Sequence, residues 1–272
     1  MQTSECSNIL RDMNTETIKL IENRRSIRAF EDRPIEEETL MKLKELTLRA
    51  PSAGNMTMYS VIEVTDKDTK EKLAKLCDNQ PMIAKAPGVW VFLADMERWY
   101  SWIKEGGSVG RTGKALRHPG PGDFHLAMQD AVIASENAVI AAEALGLGSC
   151  FIGDIIENYE ELQALLDLPP LAAPASMLIF GYPKERHGEM TLRPDEKYIF
   201  FPNRYHKQDV AECNKMYERH TEQYEKRGIL PHDKVRTFAD HYFNRKYSSA
   251  FMDEMNRSTE VFLKRWCEDL SE

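Results

Sequence analysis

The chain has 272 residues, of which 42% are hydrophobic and 29% charged, with a formal net charge of −8. This length and balance describe a soluble globular protein of one large domain or two small ones. The acidic balance excludes a general nucleic-acid binder but leaves room for a local basic pocket.

No run approaches the ~20 apolar residues that cross a bilayer, and the polar start over 1–14 lacks the apolar segment of a secretory leader. The five cysteines (Cys6, Cys77, Cys150, Cys213 and Cys267) are scattered and form no Cys-x-x-Cys pair. They read as reduced thiols of a cytoplasmic protein, with neither a disulfide framework nor a zinc site.

Residues 1–13 read as a flexible lead-in. A first helix follows, capped by Asn14 or Thr15, with Ile18 and Ile21 on one face. It runs into Asn23-Arg24-Arg25-Ser26-Ile27-Arg28-Ala29-Phe30, where three arginines and a serine fall within five residues. A guanidinium is a planar fork that grips phosphate bidentately, so this cluster is a candidate anion site. The alternative is that Arg24 and Arg25 complement the negative end of the helix. Residues 28–30 read as extended, and Pro34 breaks the run.

Residues 36–50 predict a second helix, with Glu36, Glu37 and Glu38 in its first turn and Leu40, Leu43, Thr47 and Ala50 on one side. Pro51-Ser52-Ala53-Gly54-Asn55 is a loop of small residues. Strands are predicted over 59–65 and 89–94, the latter apolar throughout and so covered on both faces, with a helix over 68–77 between them.

Residues 96–122 are an excursion of turn and loop composition, holding Trp99, Tyr100 and Trp102 and then a series of glycines. These aromatics either roof a pocket or pack at an interface. The piece 107–114 looks like a phosphate loop, but its glycine spacing is wrong and Ala115 stands where Ser or Thr belongs.

Asp123 is expected to cap the longest helix, in which Phe124, Ala127, Ala131, Ala134, Ala138, Ala141 and Leu145 recur at three- and four-residue steps. So many alanines imply close packing on another backbone, and Gly146 or Gly148 ends the helix. The segment 148–153 is a short strand or turn. Asn158 with Glu161 reads as a capping box for a helix to Leu166. A buried strand spans 174–180, a polar loop 184–195, and an extended piece 198–201. From Lys207 two helices are predicted, over 207–227 and 233–269, broken at Gly228 and Pro231.

No Gly-x-Gly-x-x-Gly, His-Glu-x-x-His or Gly-x-Ser-x-Gly motif occurs. His125 has no carboxylate at helical spacing to orient it as a base. With no side-chain catalytic machinery in evidence, a cofactor is expected to carry any reaction.

Five stretches in order, Arg24 to Phe30, Pro34-Ile35, Ala50 to Asn55, Ala144 to Gly153, and Gly181-Tyr182-Pro183, resemble the FMN-dependent nitroreductase family. The resemblance spans about residues 14–205. The helical tail is similar to that of the oxygen-insensitive NADPH nitroreductase and flavin reductase branch.

The resemblance implies an α+β, three-layer fold with a small central mixed sheet flanked by helices. It also implies a flavin-binding domain over 14–205, a helical extension over 206–272, and an interlocked homodimer with FMN at the subunit interface. Arg24, Arg25, Ser26 and Arg28 match phosphate and ribityl contacts. Pro51, Ser52, Ala53 and Asn55 match a loop lent to the flavin by the partner subunit. Ile152 and Gly153 match the segment beside the flavin ring, and Arg193 matches a late phosphate contact.

The implied activity is reduction of nitroaromatics, quinones or flavins by NAD(P)H, with hydride transfer at flavin N5 and no catalytic side chain. NADPH is preferred, with Arg186 and Arg204 as candidate partners of its extra phosphate. Alternatives are an FMN enzyme acting on activated alkenes or carbon–halogen bonds, and a non-catalytic flavin-binding protein. Two positions depart from the family pattern: Thr57 stands where Gln is frequent, and Asp195 where a second basic residue commonly follows Arg193.

Overall fold

The computed structural model describes residues 15–186 and 190–268. The lead-in expected over 1–13 lies outside them. The described chain forms two compact units, one of residues 15–186 with 254–268 and one of residues 190–253.

The first unit is built on a four-stranded sheet of β1 (Tyr59–Glu63), β2 (Gly88–Asp95), β3 (Gly148–Ile152) and β4 (Ala172–Gly181), in the order β1-β2-β4-β3. Every neighbouring pair is antiparallel, which corrects the expected mixed sheet. The reason is topological. The crossover after β2 returns β3 in the same direction as β2, but β4 inserts between them and runs the other way. Among the described residues, parallel pairing in this sheet is confined to an isolated bridge between Ser26 and Ser149.

Alternation along the strands divides the core into two layers. On one face lie Val89, Val91, Leu93, Met177 and Ile179. They pack against α3 (Lys67–Leu76), α4 (Pro81–Lys85) and α8 (Tyr159–Leu166) through Leu73, Ile83 and Leu162. On the other lie Trp90, Phe92, Leu178 and Phe180, against α2 (Glu37–Thr47) and α7 (Pro121–Ala144) through Leu43 and the α7 alanines. This is the three-layer arrangement expected. Each large apolar side chain fully buried there contributes about 1.5–3 kcal/mol.

Ala127, Ala131, Ala134, Ala138 and Ala142 of α7 are fully buried, so the helix backbone lies close to the sheet. Asp123 is not its cap. Gly120 occupies that place, and Asp123, in the first turn, accepts from the Gly120 amide at 2.8 Å while Arg117 holds it at 2.6 and 2.8 Å. Gly146, at φ +80°, follows the end of the helix.

Four further expectations are corrected. The 96–122 excursion is not loop throughout: it forms α5 (Glu97–Glu105) and α6 (Ser108–Thr112). Trp99 and Tyr100 pack on Met58, Met96 and Trp266, and this tertiary burial outweighs the local glycines, which bracket α6 at positive φ. Asn158 caps α8 without the capping box, because its side chain donates to Leu76 O at 2.7 Å instead.

In the second unit Glu196–Tyr198 is a 3₁₀ turn rather than part of an extended piece, with the Phe200 amide bonded to Glu196 O. The tail is divided into α9 (Val210–Met216), α10 (Glu218–Lys226), α11 (Phe238–Tyr242), a π turn (Phe243–Tyr247) and α12 (Ala250–Cys267). Asp209 with Glu212, and Thr237 with Asp240, form capping boxes that start new helices there. The first helix, α1 (Glu16–Asn23), begins at Thr15 as expected.

Among the described residues no helix is long and apolar enough to cross a membrane.

Candidate active site

Beyond α1 the chain turns extended and lies along β3. The Ile27 amide donates to Ser149 O at 2.8 Å, and farther on Phe30 bridges Pro183. Ile27 is buried, so alternation leaves Ser26 and Arg28 exposed on the outer side. The fit is close: a Cβ on Gly148 would stand 2.7 Å from Ile27 Cγ1.

The bridge of Ser26 with Ser149 sets the arginine segment beside Cys150 of β3. Burial pushes that thiol up and keeps it neutral, while the Arg28 charge, a hydrogen bond with Ser26 and the Arg24 charge pull the other way. Arg24 also acts on the Glu136 carboxylate of α7. Arg25 is half-buried, its Nε donating to Asn23 O at 3.5 Å. The alternative for Arg24, a helix end, is present in its backbone, whose amide caps α1 on Leu20 O, but its side chain joins the other group.

The same strand delivers the next predicted pair. Ile152 is buried and ends β3, and exposed Gly153 opens a 3₁₀ turn, Gly153–Ile156. A Cβ on Gly153 would meet nothing within 4 Å, so a planar ligand has free access to this backbone.

The loop of Pro51, Ser52, Ala53 and Asn55 is held from a different point. Asp130, buried in α7, accepts from the Ala53 amide at 2.9 Å and the Met58 amide at 3.0 Å. Ser52 Oγ accepts from Thr57 N at 2.7 Å, and Asn55 and Thr57 adopt positive φ. From α5, Arg98 donates to Thr57 O at 2.5 Å and Tyr59 O at 3.2 Å, and Trp99 Nε1 to Met56 O at 2.7 Å. The excursion therefore clamps the loop. Pro51 and Asn55 remain exposed. Asp130 and Glu136 are six residues apart on α7, about 9 Å along its axis, so the loop and the arginine group are referenced to different levels of one helix.

Asp130 and Arg98 were not among the sequence candidates; Trp99 was, as a pocket roof or an interface residue, and not as a clamp on this loop. Asp130 had a signal: it is a carboxylate on the alanine face of the longest helix, where a charge persists only with partners.

Arg193 belongs to the second unit. There it lines a cavity of about 980 Å³ with Tyr217, His220, Tyr224 and Phe238, and its Nη1 donates to Leu192 O at 3.2 Å. Asp195 pairs with Arg219 at 3.5 Å, which gives this acid a cation of its own. Arg186 is corrected as a nucleotide candidate. It donates to Glu143 at 2.6 Å and to the carbonyls of Gly146 and Leu147 at 3.1 and 2.9 Å, closing the C-terminal end of α7. His125 contacts Gln129 at 2.9 Å, a partner that does not orient a base. Leu126, Val132 and Ile133 of α7 are exposed apolar residues.

Residues 21–182 match the nitroreductase family. An FMN reductase [NAD(P)H] of Bacillus subtilis is 35% identical over 181 residues, covering 66% of this chain and 71% of that protein. An oxygen-insensitive NADPH nitroreductase of Salmonella typhimurium is 29% identical over 225 residues, covering 83% and 88%. The solved structure of the NfrA1 nitroreductase of Bacillus subtilis superposes with a TM-score of 0.76 at 25% identity, covering 92% of this chain and 100% of that one. With the family's match extending over the whole sheet and the arginine cluster, this chain belongs to the nitroreductase family.

Proposed function

We propose that this chain is an FMN-dependent oxidoreductase that uses NAD(P)H, with NADPH preferred, to reduce nitroaromatics, quinones or flavins. The observation that carries the reading is the pairing of the arginine segment with β3, through the bridge of Ser26 with Ser149 and the Ile27 amide on Ser149 O, which lays Arg24, Ser26 and Arg28 beside the strand that leads to an unobstructed glycine, Gly153. Fixed cations beside an open backbone edge are the donor set that a phosphorylated planar ring requires. The names of the relatives support the same cofactor and donor.

The residues present fit FMN. Arg24, Arg25, Ser26 and Arg28 would hold its phosphate and ribityl chain, and Ile152 and Gly153 would flank the ring. The chemistry FMN supplies when bound is hydride acceptance at N5 and onward reduction of an acceptor, in ping-pong order. The protein binds, orients and excludes water, and no side chain acts as acid or base.

The loop from Pro51 to Asn55 is anchored on Asp130, away from the Glu136 level of α7. Its place in the reading is to complete the site of a second subunit in a homodimer. The exposed Leu126, Val132 and Ile133 on α7 support such an interface.

The test is an anaerobic absorption spectrum of the purified protein before and after NADPH. A flavin spectrum that bleaches, with an acceptor restoring it, is the expected result. FMN bound without bleaching would mean a flavin-binding protein that is not a reductase. A colourless protein that FMN cannot reconstitute would overturn the reading.

A further inference from the structure

β3 hands the chain to a turn that is seated on apolar side chains at two points. Ile152 is 2% exposed and Ile155 is fully buried, in one cluster with Leu73 of α3, Ile83 of α4 and Cys77 between them. The Glu157 amide closes the turn on Asp154 O at 3.1 Å. Between the two isoleucines stand Gly153, exposed, and Asp154, half-buried. Glycine has no side chain with which to fix its own peptide planes, so its neighbours set them. Of those neighbours Asp154 carries the polar side chain, and it makes a directional bond.

That bond comes from Gln80. Gln80 Nε2 donates to Asp154 Oδ2 at 2.6 Å and to Cys77 O at 3.0 Å. Both partners are acceptors, so the amide nitrogen and not the amide oxygen must face them, and both of its N–H groups are used. The orientation of the Gln80 side chain is thereby fixed by chemistry.

The chain takes an uncommon path to present Gln80. α3 ends at Leu76, and Asp78 and Asn79 follow with φ of +55° and +52°. Two successive left-handed residues are disfavoured, and Asp and Asn are the residues with a side chain that tolerate them best. The Asn79 amide closes this hook on Lys75 O at 3.3 Å, and the Gln80 amide on Ala74 O at 2.8 Å. Gln80 O in turn accepts the Ile83 amide at 3.1 Å, and Pro81 starts α4. Cys77 and Ile83, both fully buried, anchor the hook on either side. Backbone strain persists where its surroundings over-determine it, and it collects where a function needs a fixed geometry. Here the strained hook holds Asp154, 74 residues away.

We infer that Gln80 and Asp154 form a tie that fixes the Gly153 backbone for the flavin ring, so that both are positioning residues acting through the turn. The place of the ring rests on the proposed reading of Gly153; the tie itself does not. The two buried isoleucines set where the turn sits but leave the peptide between Gly153 and Asp154 free to tilt. A side chain held at its far end removes that freedom, so the ordering is complete before a ligand arrives. Loss of the tie should leave the fold in place, loosen the turn and weaken any flavin whose ring rests on it. The phosphate takes no part, which separates this effect from that of the arginines.

The test uses the full chain as wild type, Gln80→Ala, Asp154→Ala, the double variant and Asp154→Asn. Dissociation constants for FMN and riboflavin are measured by fluorescence quenching. Deuterium exchange of the flavin-free chain is followed over the peptide 152–158 and over β2 and β4. Each alanine variant should weaken both flavins by about threefold to tenfold. The double variant should lose no more than either single one, because both remove the same bond. Asn keeps an acceptor oxygen for Gln80, so Asp154→Asn should stay within about twofold of wild type. Exchange in the turn should rise about threefold or more in the alanine variants while β2 and β4 keep their rates.

Additive losses would show that Gln80 and Asp154 act separately, which overturns the tie. Unchanged flavin affinity with faster exchange leaves a structural staple and overturns the positioning role. A loss for FMN that riboflavin escapes places the effect at the phosphate and overturns it equally. Exchange that rises throughout the sheet means general destabilisation, with the same consequence. A wild-type chain that binds neither flavin removes the functional reading and this role together, whereas variants that match a flavin-binding wild type remove this role alone.

Discussion

Asp130 and Ala53 stand 77 residues apart in sequence and meet through a 2.9 Å hydrogen bond from the Ala53 amide to Oδ1, while Oδ2 takes the Met58 amide at 3.0 Å. One buried carboxylate on the central helix thus fixes both ends of the loop that the proposed dimer lends to its partner. Hydrogen bonds to charged groups contribute about 1.5–3 kcal/mol each, and an unsatisfied amide costs more than its bond was worth. Asp130→Ala should lower unfolding stability by about 2–4 kcal/mol in a denaturant titration. Asp130→Asn, which retains one acceptor, should lose roughly half of that. A loss below about 0.5 kcal/mol for the alanine variant would show that the loop holds itself.

Asp130 also marks where sequence reasoning stops. The continuous apolar run over 89–94 and the alanine spacing of α7 gave strand, helix and layer correctly, because both are one-dimensional records of burial. The partner of Asp130 is not local, and nothing near position 130 points to Ala53. The same applies to α5, whose helix depends on Trp99 and Tyr100 reaching Met58 and Trp266, and to Asn158, whose side chain is diverted to Leu76. Arg24, Ser26, Arg28 and Gly153 were legible as candidates because they lie in short contiguous stretches. That the arginine segment lies along the strand leading to Gly153 required the pairing of residue 26 with residue 149.

The phosphate assignment separates two flavins. A guanidinium fork on phosphate contributes about 1.5–3 kcal/mol, so Arg24→Ala and Arg28→Ala should each weaken FMN by about tenfold to hundredfold. Riboflavin, which lacks the phosphate, should be bound equally by wild type and variants. Fluorescence quenching with both flavins makes the comparison. An equal loss for the two would place these arginines on the ring or ribityl chain instead.

The glycine that opens β3 and the one that follows its end make opposite predictions. A Cβ at Gly148 meets Ile27 at 2.7 Å, in the segment that carries the arginines. Gly148→Ala should therefore destabilise the fold by about 1–3 kcal/mol. A Cβ at Gly153 meets nothing. Gly153→Ala should leave the melting temperature of the flavin-free protein unchanged and weaken FMN binding, since the methyl group would occupy space reserved for the ring. Unchanged FMN affinity in Gly153→Ala would remove this glycine from the site.

The pairing of Arg186 with Glu143 leaves Arg204 as the remaining candidate for the extra phosphate of NADPH. Arg204→Ala should raise KM for NADPH and leave KM for NADH near its wild-type value. Steady-state kinetics with each donor would detect the difference, and a parallel rise would assign Arg204 to a feature common to both nucleotides.

The acids around the Gly153 turn should give stability an acid limb as well as a neutral one. Hydrogen bonds from Arg257, Ser258 and the Asn158 amide hold the Glu254 carboxyl down at about 2. A group depressed in the folded state contributes above the ordinary carboxylate range, and the contribution is lost as pH falls through the depressed value. Glu254→Gln should therefore show a shallower fall in melting temperature between about pH 5 and about pH 2. Because the Glu254 side chain is 26% exposed, added salt should shrink the difference. Glu254 is also one of the charges that raise Glu157. Burial pushes the Glu157 carboxyl up to about 7, so neutralising Glu254 should move that upper titration downward while the acid limb flattens. Melting temperature against pH for wild type, Glu254→Gln and Glu157→Gln reads both ends. If Glu254→Gln flattens the acid limb without moving the upper step, the two carboxyls titrate independently and the Arg257 pair shields one from the other.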